Sequence, residues 1–418
     1  MNITKSVDVI GKYDVVVAGG GPSGIISAIA AGRNGKKVAI IERFGYLGGM
    51  ATAGLVAPIS EFMHEGTLIS GGIPLEFCEK IAGSTMCAPR GNVTYHPEQY
   101  KLTAQRMVKE AGADIYLHAY ISDIVTDKNR ITHVVFESKS GTQALECDYV
   151  IDATGDGDIA YKAGVPMLDY GQALQPASMY FVLNKVDTSE FPGYYPRDKK
   201  SSLPWIREKL QSLGEDVPQM GGPWCFAGMG EGTAVINMSR TAVNWLDERE
   251  ASEAECKLRE DIDTLVKLLR EHIPAFKNAE LLMTSPQIGI RETRHIKGVH
   301  VLTADEYVNA YHFEDAVARC AHPIDIHATA GNTQVCVYLE KPAYLPYRSI
   351  IAEGFPNLLV PSRCFSAERE AFASARVQVS LMGLGQAAGV AAAIAEGDVT
   401  KVDIDRLRKI LTDYGMDI

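Results

Sequence analysis

The sequence predicts an α/β protein, a parallel sheet flanked by helices and built from residues 11–165 and 345–418, interrupted by an inserted α+β domain over 166–344. Three observations lead there. A β-branched run ends in a glycine-rich turn and a small-residue helix, all within the first 42 residues. A second strand closes near residue 155 in a turn of glycine and aspartate. A third strand and a long small-residue helix return near the C-terminus, and the stretch between holds Trp205, Trp224 and Trp245 and a polar segment, Asp187 to Lys200.

The first strand is Tyr13-Asp14-Val15-Val16-Val17-Ala18, apolar enough to be buried on both faces. It runs into Gly19-Gly20-Gly21-Pro22-Ser23-Gly24, a G-x-G-x-x-G turn, and then into the helix Ile25 to Ala31. In such a turn Gly19 permits the sharp reversal, Gly21 lets backbone approach a pyrophosphate, and Gly24 allows the helix to lie close on the strand. Pro22 and Ser23 begin the helix, whose free N–H groups and positive dipole end suit a diphosphate. Glu42 ends a second strand about 20 residues past the turn, the usual place for a carboxylate that accepts the ribose hydroxyls. It also disfavours a 2′-phosphate. The segment reads as a Rossmann-like dinucleotide site for FAD or NAD.

The segments that follow narrow the choice. Arg43 leads into a second glycine-rich stretch, Gly48-Gly49-Met50-Ala51-Thr52, where backbone can lie flat against an extended ligand. The strand from Tyr149 ends in Ala153-Thr154-Gly155-Asp156. Near the C-terminus, Arg376 precedes a helix carrying Gly383, Gly385 and Gln386. These features resemble the flavoprotein superfamily of glutathione reductase and fumarate reductase. In detail they are similar to its family of FAD-dependent oxidoreductases, through L-G-G-M-A-T-A-G-L-V (47–56), A-T-G-D (153–156), G-I-R-E-T-R (289–294), P-I-D-I-H (323–327), P-Y-R-S (346–349) and G-Q-A-A-G (385–389). The resemblance implies non-covalent FAD on a domain of the glutathione reductase type. It assigns the cofactor to Gly19, Gly21, Pro22, Ser23, Gly24, Glu42, Arg43, Gly49, Met50, Ala51, Thr52, Ala153, Thr154, Gly155, Asp156, Arg376, Gly383, Gly385 and Gln386. One departure is Arg369 before Glu370, where relatives often carry a histidine.

Composition limits the partners. A net charge of -11 argues against non-specific nucleic-acid binding, which needs clustered cations. The apolar stretch from Leu381 to Ala395 is short and glycine-broken, so neither a membrane span nor a signal peptide is expected and the protein reads as cytoplasmic. The eight cysteines form no C-x-x-C pair, so no disulfide relay and no metal site is expected. Gly228-Met229-Gly230-Glu231-Gly232 is glycine-rich, but no strand leads into it. Around Ser252 to His272, Leu258, Ile262, Leu265, Val266 and Leu269 recur at helical spacing, a packing face.

Flavin chemistry on a C–H bond needs a base for the coupled proton and an anchor for the substrate. His327, at the end of Pro323-Ile324-Asp325-Ile326-His327, is the candidate base. Arg291 is the candidate anchor for a carboxylate or carbonyl, and Arg348 a positioning residue. The expected activity is hydride transfer between flavin N5 and a small polar metabolite, a sugar derivative or a hydroxy or oxo acid. The alternative is an electron carrier that serves a protein partner. A homo-oligomer is compatible with either.

Overall fold

The computed structural model describes residues 4–87, 90–190, 203–214, 216–226, 229–328 and 334–418. The polar segment at 187–200 and the glycine run at 228–232 lie partly outside them. Strand β1 (Asp8–Ala18) starts five residues before the apolar run, because Asp8–Lys12, itself largely exposed, continues the pairing with Gln143–Glu146. It lies parallel to β2 (Val38–Ile41) on one side and to Gly141–Asp152 on the other. Asp114–Tyr116 extends the sheet beyond β2, the meander Tyr120–Asp127 and Arg130–Ser138 extends it antiparallel beyond Gly141–Asp152, and Leu358–Leu359 joins the end of Gly141–Asp152 in parallel. The C-terminal return expected from the sequence is therefore present in the sheet.

Helix α1 (Pro22–Arg33) is buried from Ser23 through Ala31, which explains why its sequence is apolar on every side rather than striped. It sits between the sheet and the C-terminal helix Gln378–Ile394. That contact is backbone on backbone. A Cβ on Gly385 would stand 2.4 Å from the Ser23 carbonyl oxygen, and one on Gly389 equally close to that of Ser27. The Ser27 hydroxyl donates to the Gly385 carbonyl at 2.9 Å. The G-Q-A-A-G motif is thus a seam between helices.

The insert carries its own antiparallel sheet, in the order Met220–Phe226, Ala234–Ser239, Phe181–Asn184, Glu280–Thr284. The amphipathic helix expected around 252–272 runs Glu248–His272, N-capped by Asp247, and buries Leu258, Ile262, Leu265, Val266 and Leu269. Strand alternation decides what faces it. Phe181, Leu183, Ile236 and Met238 pack with the helix, while Tyr180, Val182 and Val235 form a small cluster with Leu55 on the opposite side. This second core runs from Ala177 to Ile290, and side chains of 302–345 pack into the first core instead. The insert's own core thus ends short of residue 344, because Tyr307, Phe313 and Val317 pack with the C-terminal helix and its neighbours.

His96 caps the helix Pro97–Glu110 with its ring nitrogen, in keeping with the Pro that follows it. No single helix among the described residues is long and apolar enough to cross a membrane.

The helix seam sets a stability expectation. Gly385→Ala or Gly389→Ala should each lower unfolding free energy by about 1–3 kcal/mol through overpacking. Denaturant midpoints should fall accordingly, and unchanged midpoints would mean the helices separate freely.

Candidate functional site

A cleft of about 820 Å³ runs from the glycine turn to the Tyr180, Trp224 and Asn237 face of the smaller sheet. Its first wall is the end of β1. Gly19 takes φ +100°, and a Cβ there would meet the Ala153 carbonyl oxygen at 2.4 Å. Gly24 serves helix packing and lies outside the cleft lining, since its Cβ would fall 2.0 Å from the Gly19 oxygen. Gly21 is different. A Cβ there would meet only Ala153 O, at 3.9 Å, so nothing in the packing requires glycine. The bare position opens on the cleft, as a backbone that must come close to a bound group would. Gly21 caps α1 without a side-chain hydrogen bond and with no acidic residue in the first turn, which leaves the N–H groups to a ligand.

Glu42 is 5% exposed and accepts the Gly20 N–H at 2.8 Å and the Phe44 N–H at 3.0 Å. Burial pushes its carboxyl up, and those two N–H groups oppose the shift. Gly49 packs on Gly21, where a Cβ would approach Gly21 Cα to 2.8 Å, and so presents Met50 to the cleft. Arg43 lines the cleft too and donates to Gln287 of the insert.

The turn after Gly141–Asp152 is held by Asp152, which accepts from the Thr154 hydroxyl at 2.6 Å and the Ala160 N–H at 3.0 Å; burial raises its carboxyl to about 6. Ala153, Thr154, Gly155 and Asp156 all line the cleft. Asp156 accepts from Thr293 at 2.8 Å and Arg363 at 2.5 Å, while Arg294 donates to the Asp156 carbonyl at 3.0 Å and to Asp158 at 2.9 Å. The G-I-R-E-T-R segment therefore divides its work. Thr293 and Arg294 grip the turn, and Arg291 lines the cleft farther along.

The residues expected on the cofactor do not all face it. Ala51 and Thr52 are buried behind Met50, the Thr52 hydroxyl donating to Leu47 O at 3.1 Å. Gly383, Gly385 and Gln386 belong to the interior face of the C-terminal helix, where the Gln386 amide oxygen accepts the Ile73 N–H at 2.9 Å. The cleft meets only the start of that helix, at Val377, Gln378 and Leu381. With about 1.5 Å of rise per residue, Gly385 and Gln386 lie some two turns from the cleft-facing start of the helix. Arg376 lines the cleft at its far end rather than at the dinucleotide turns. Arg348 is not among the lining residues; it pairs with Asp315 at 2.9 Å on the surface.

At the far end, the hairpin strand Ile324–His327 points Asp325 and His327 to the same side, as strand alternation requires. His327 Nε2 and Asp325 Oδ2 are 3.1 Å apart. Arg376 donates to the Asp325 carbonyl at 3.1 Å and lies 3.7 Å from its carboxylate. Burial first, then Arg291, lower His327 to about 3, against the pull of Asp325, whose own carboxyl sits far below the usual range. The ring is neutral at pH 7. Tyr180, Trp224 and Asn237 complete this end from the inserted sheet. Asp325 could have been paired with His327 from spacing alone. Tyr180, Asn237 and the neighbouring Arg240 carried no sequence signal, because a strand's facing is set by its sheet partners.

Comparison with known proteins agrees with this architecture. The model of the family described as FAD dependent oxidoreductase matches residues 14–411. A digeranylgeranylglycerophospholipid reductase of Methanothermobacter thermautotrophicus is 31% identical over 166 residues, covering 37% of this chain and 42% of that protein. A thiamine thiazole synthase of Pyrococcus horikoshii is 27% identical over 200 residues, covering 44% and 75%. The chain spans about half the length of the lipid reductases it matches, 42% to 57%. Among solved structures, a flavin-dependent brominase, Bmp2, shares the fold at 13% identity with a TM-score of 0.50, over 96% of this chain and 83% of that one.

Two expectations follow. Gly21→Ala should leave the unfolding midpoint of the ligand-free protein unchanged and weaken FAD at least about tenfold, since a methyl group would stand where the ligand must approach; equal affinity would remove the close approach. Acid should destabilise the protein through buried neutral histidines. His295, whose two ring nitrogens make no hydrogen bond among the described residues although Nε2 lies 3.8 Å from the Glu292 carboxylate, is lowered to about 3 by burial and by Arg363 and Arg369, and His322 to about 4 by burial. Unfolded histidine titrates near 6.5, so this contribution is complete above pH 6.5 and is lost as pH falls toward 3. His295→Phe should flatten the fall in denaturation midpoint between pH 7 and 5, and an unchanged slope would assign the acid sensitivity elsewhere.

Proposed function

Since the chain belongs to the family of FAD-dependent oxidoreductases, with FAD as cofactor, we propose that it is an enzyme passing a hydride between that flavin and a small polar metabolite held against the inserted sheet. The observation that carries this reading is the continuity of the cleft, from Gly19, Gly21 and Glu42 at one end to Arg291, Asp325 and His327 at the other. Gly21, Ser23 and the start of α1 would hold the diphosphate, Glu42 a ribose, and Gly49, Met50 and the 153–156 turn the remainder of the cofactor. Bound FAD supplies the two-electron acceptor or donor.

His327 is the residue we assign to the coupled proton. With Nε2–H given to Asp325, a neutral imidazole has its Nδ1 lone pair available, and the carboxylate fixes the ring and stabilises its protonated form. Tyr180, Trp224 and Asn237 of the inserted sheet line this end. Relatives include reductases named for a phospholipid, yet the far wall here offers Ser178, Tyr180, Asn237, Arg291 and His327 to a ligand. Such a lining favours a polar substrate over a hydrocarbon chain.

The test is anaerobic mixing of the flavin-loaded protein with sugars, hydroxy acids and isoprenoid lipids, following flavin absorbance, and of the reduced protein with oxo acids. A polar metabolite should bleach or restore the flavin. Reaction with lipids alone, or with a redox protein alone, would sink the proposal, the latter in favour of an electron carrier. His327→Asn should slow reduction about 100- to 10,000-fold with flavin content unchanged.

A further inference from the structure

Three guanidinium groups converge behind and beside Trp224 at the far end of the cleft. Arg240 is 4% exposed and stands over the Trp224 ring at 5.6 Å. It donates to Ser178 Oγ at 3.3 Å, and Arg291 donates to the same oxygen at 3.1 Å and to the Pro176 carbonyl at 2.5 Å. Arg376 is the third. Among the described residues, the one carboxylate within ion-pair distance of any of them is Asp325, at 3.7 Å from Arg376, and it also holds His327. Glu292 adds negative charge near Arg376 but is paired with Arg369 at 3.5 Å, while His322 and His327 are neutral at pH 7 and burial keeps the Tyr180 phenol protonated. Among the described residues, buried Arg240 and half-buried Arg291 thus stand together with no counter-ion of their own, an arrangement that a fold tolerates poorly unless the opposite charge arrives with a ligand. Asn237, 7% exposed and lining the cleft, also leaves its side-chain oxygen without a hydrogen-bond partner among the described residues.

The geometry of Arg291 says which anion fits. Its Nη1 is committed to Pro176 and Ser178, and no protein partner is recorded for Nε or Nη2 among the described residues. That edge of a guanidinium meets two coplanar oxygens side by side.

We propose that the substrate carries a carboxylate that docks on Arg291, with Arg240 and Arg376 supplying the surrounding positive charge, so that the enzyme acts on an organic acid. This rests on the reading of the far end as the substrate site. It also connects binding to chemistry, because Arg291 is, after burial, the largest influence suppressing His327. An anion on Arg291 raises the proton affinity of that ring, and the base becomes effective when the acid is bound.

The experiment is equilibrium binding to the flavin-loaded protein at pH 7, read from the perturbed flavin spectrum, with oxalate, malonate and succinate, their diamides, and inorganic phosphate. At least one acid should bind 30-fold or more tighter than its diamide, and tighter than phosphate. Arg291→Met should lose that binding at least 30-fold while keeping flavin. A diamide that matches its acid, a preference for phosphate, silence from all three acids, or an Arg291→Met protein that binds them as before would each overturn the proposal. The acid-to-amide comparison needs no variant, so misfolding of Arg291→Met leaves the test intact. Binding is read without turnover. Carboxylates that bind while no small molecule reduces the flavin would keep the anion site and remove the oxidoreductase reading. Reduction by neutral sugars without preference for acids would do the reverse.

Discussion

Helix α1 has to lie within backbone distance of two neighbours at once, and much of the rest of the molecule is arranged around that. At its start Gly24 rests on the Gly19 carbonyl, and along its length the Ser23 and Ser27 carbonyls rest on Gly385 and Gly389. Only residues without a Cβ can stand at those contacts. The same closeness brings the N-termini of α1 and of the C-terminal helix, neither capped by a side chain, to one cleft. Two helix dipoles then present their positive ends to the region that a diphosphate and a flavin would occupy. Placing them there takes no ionised side chain from the core.

The cleft is electrically uneven. Its dinucleotide end holds Glu42 and Asp156, both buried and both satisfied by N–H or guanidinium donors. Its far end holds Arg291 and Arg376, with Arg240 behind. The dinucleotide end suits hydroxyl-bearing sugars and the far end suits an acceptor-rich group, so the two ligands do not compete for one wall. The neutrality of His327 belongs to the same pattern, as a cationic ring would add to an already positive pocket.

The dinucleotide half was legible in the sequence because it is local. Strand, turn, helix, second strand and Glu42 follow one another in chain order, and each makes its contacts with near neighbours. The amphipathic helix 248–272 was legible for a similar reason, since its stripe is written in consecutive turns. What was missed depends on distant pairing. Gly385 looks like a ligand glycine but serves a seam with a helix more than 350 residues earlier, and Gly383 packs against Ala318 and Met416. Arg348 reads as a site residue until Asp315 is seen beside it. Arg240 and Asn237 acquire their neighbours only when Ala234–Ser239 pairs with Phe181–Asn184, a register that no short motif encodes.

The bonds that join the insert to the 153–156 turn make the two walls of the cleft a single mechanical unit. Thr293 and Arg294 hold the turn, and Arg291 precedes them on the same short piece of backbone. Arg43, beside Glu42, reaches Gln287 only four residues before Arg291. The grip on the turn and the guanidinium at the opposite end are thus separated by only two or three peptide units. Among the described residues, then, the place that would grip one ligand and the place that would meet the other are held by side chains of one short segment.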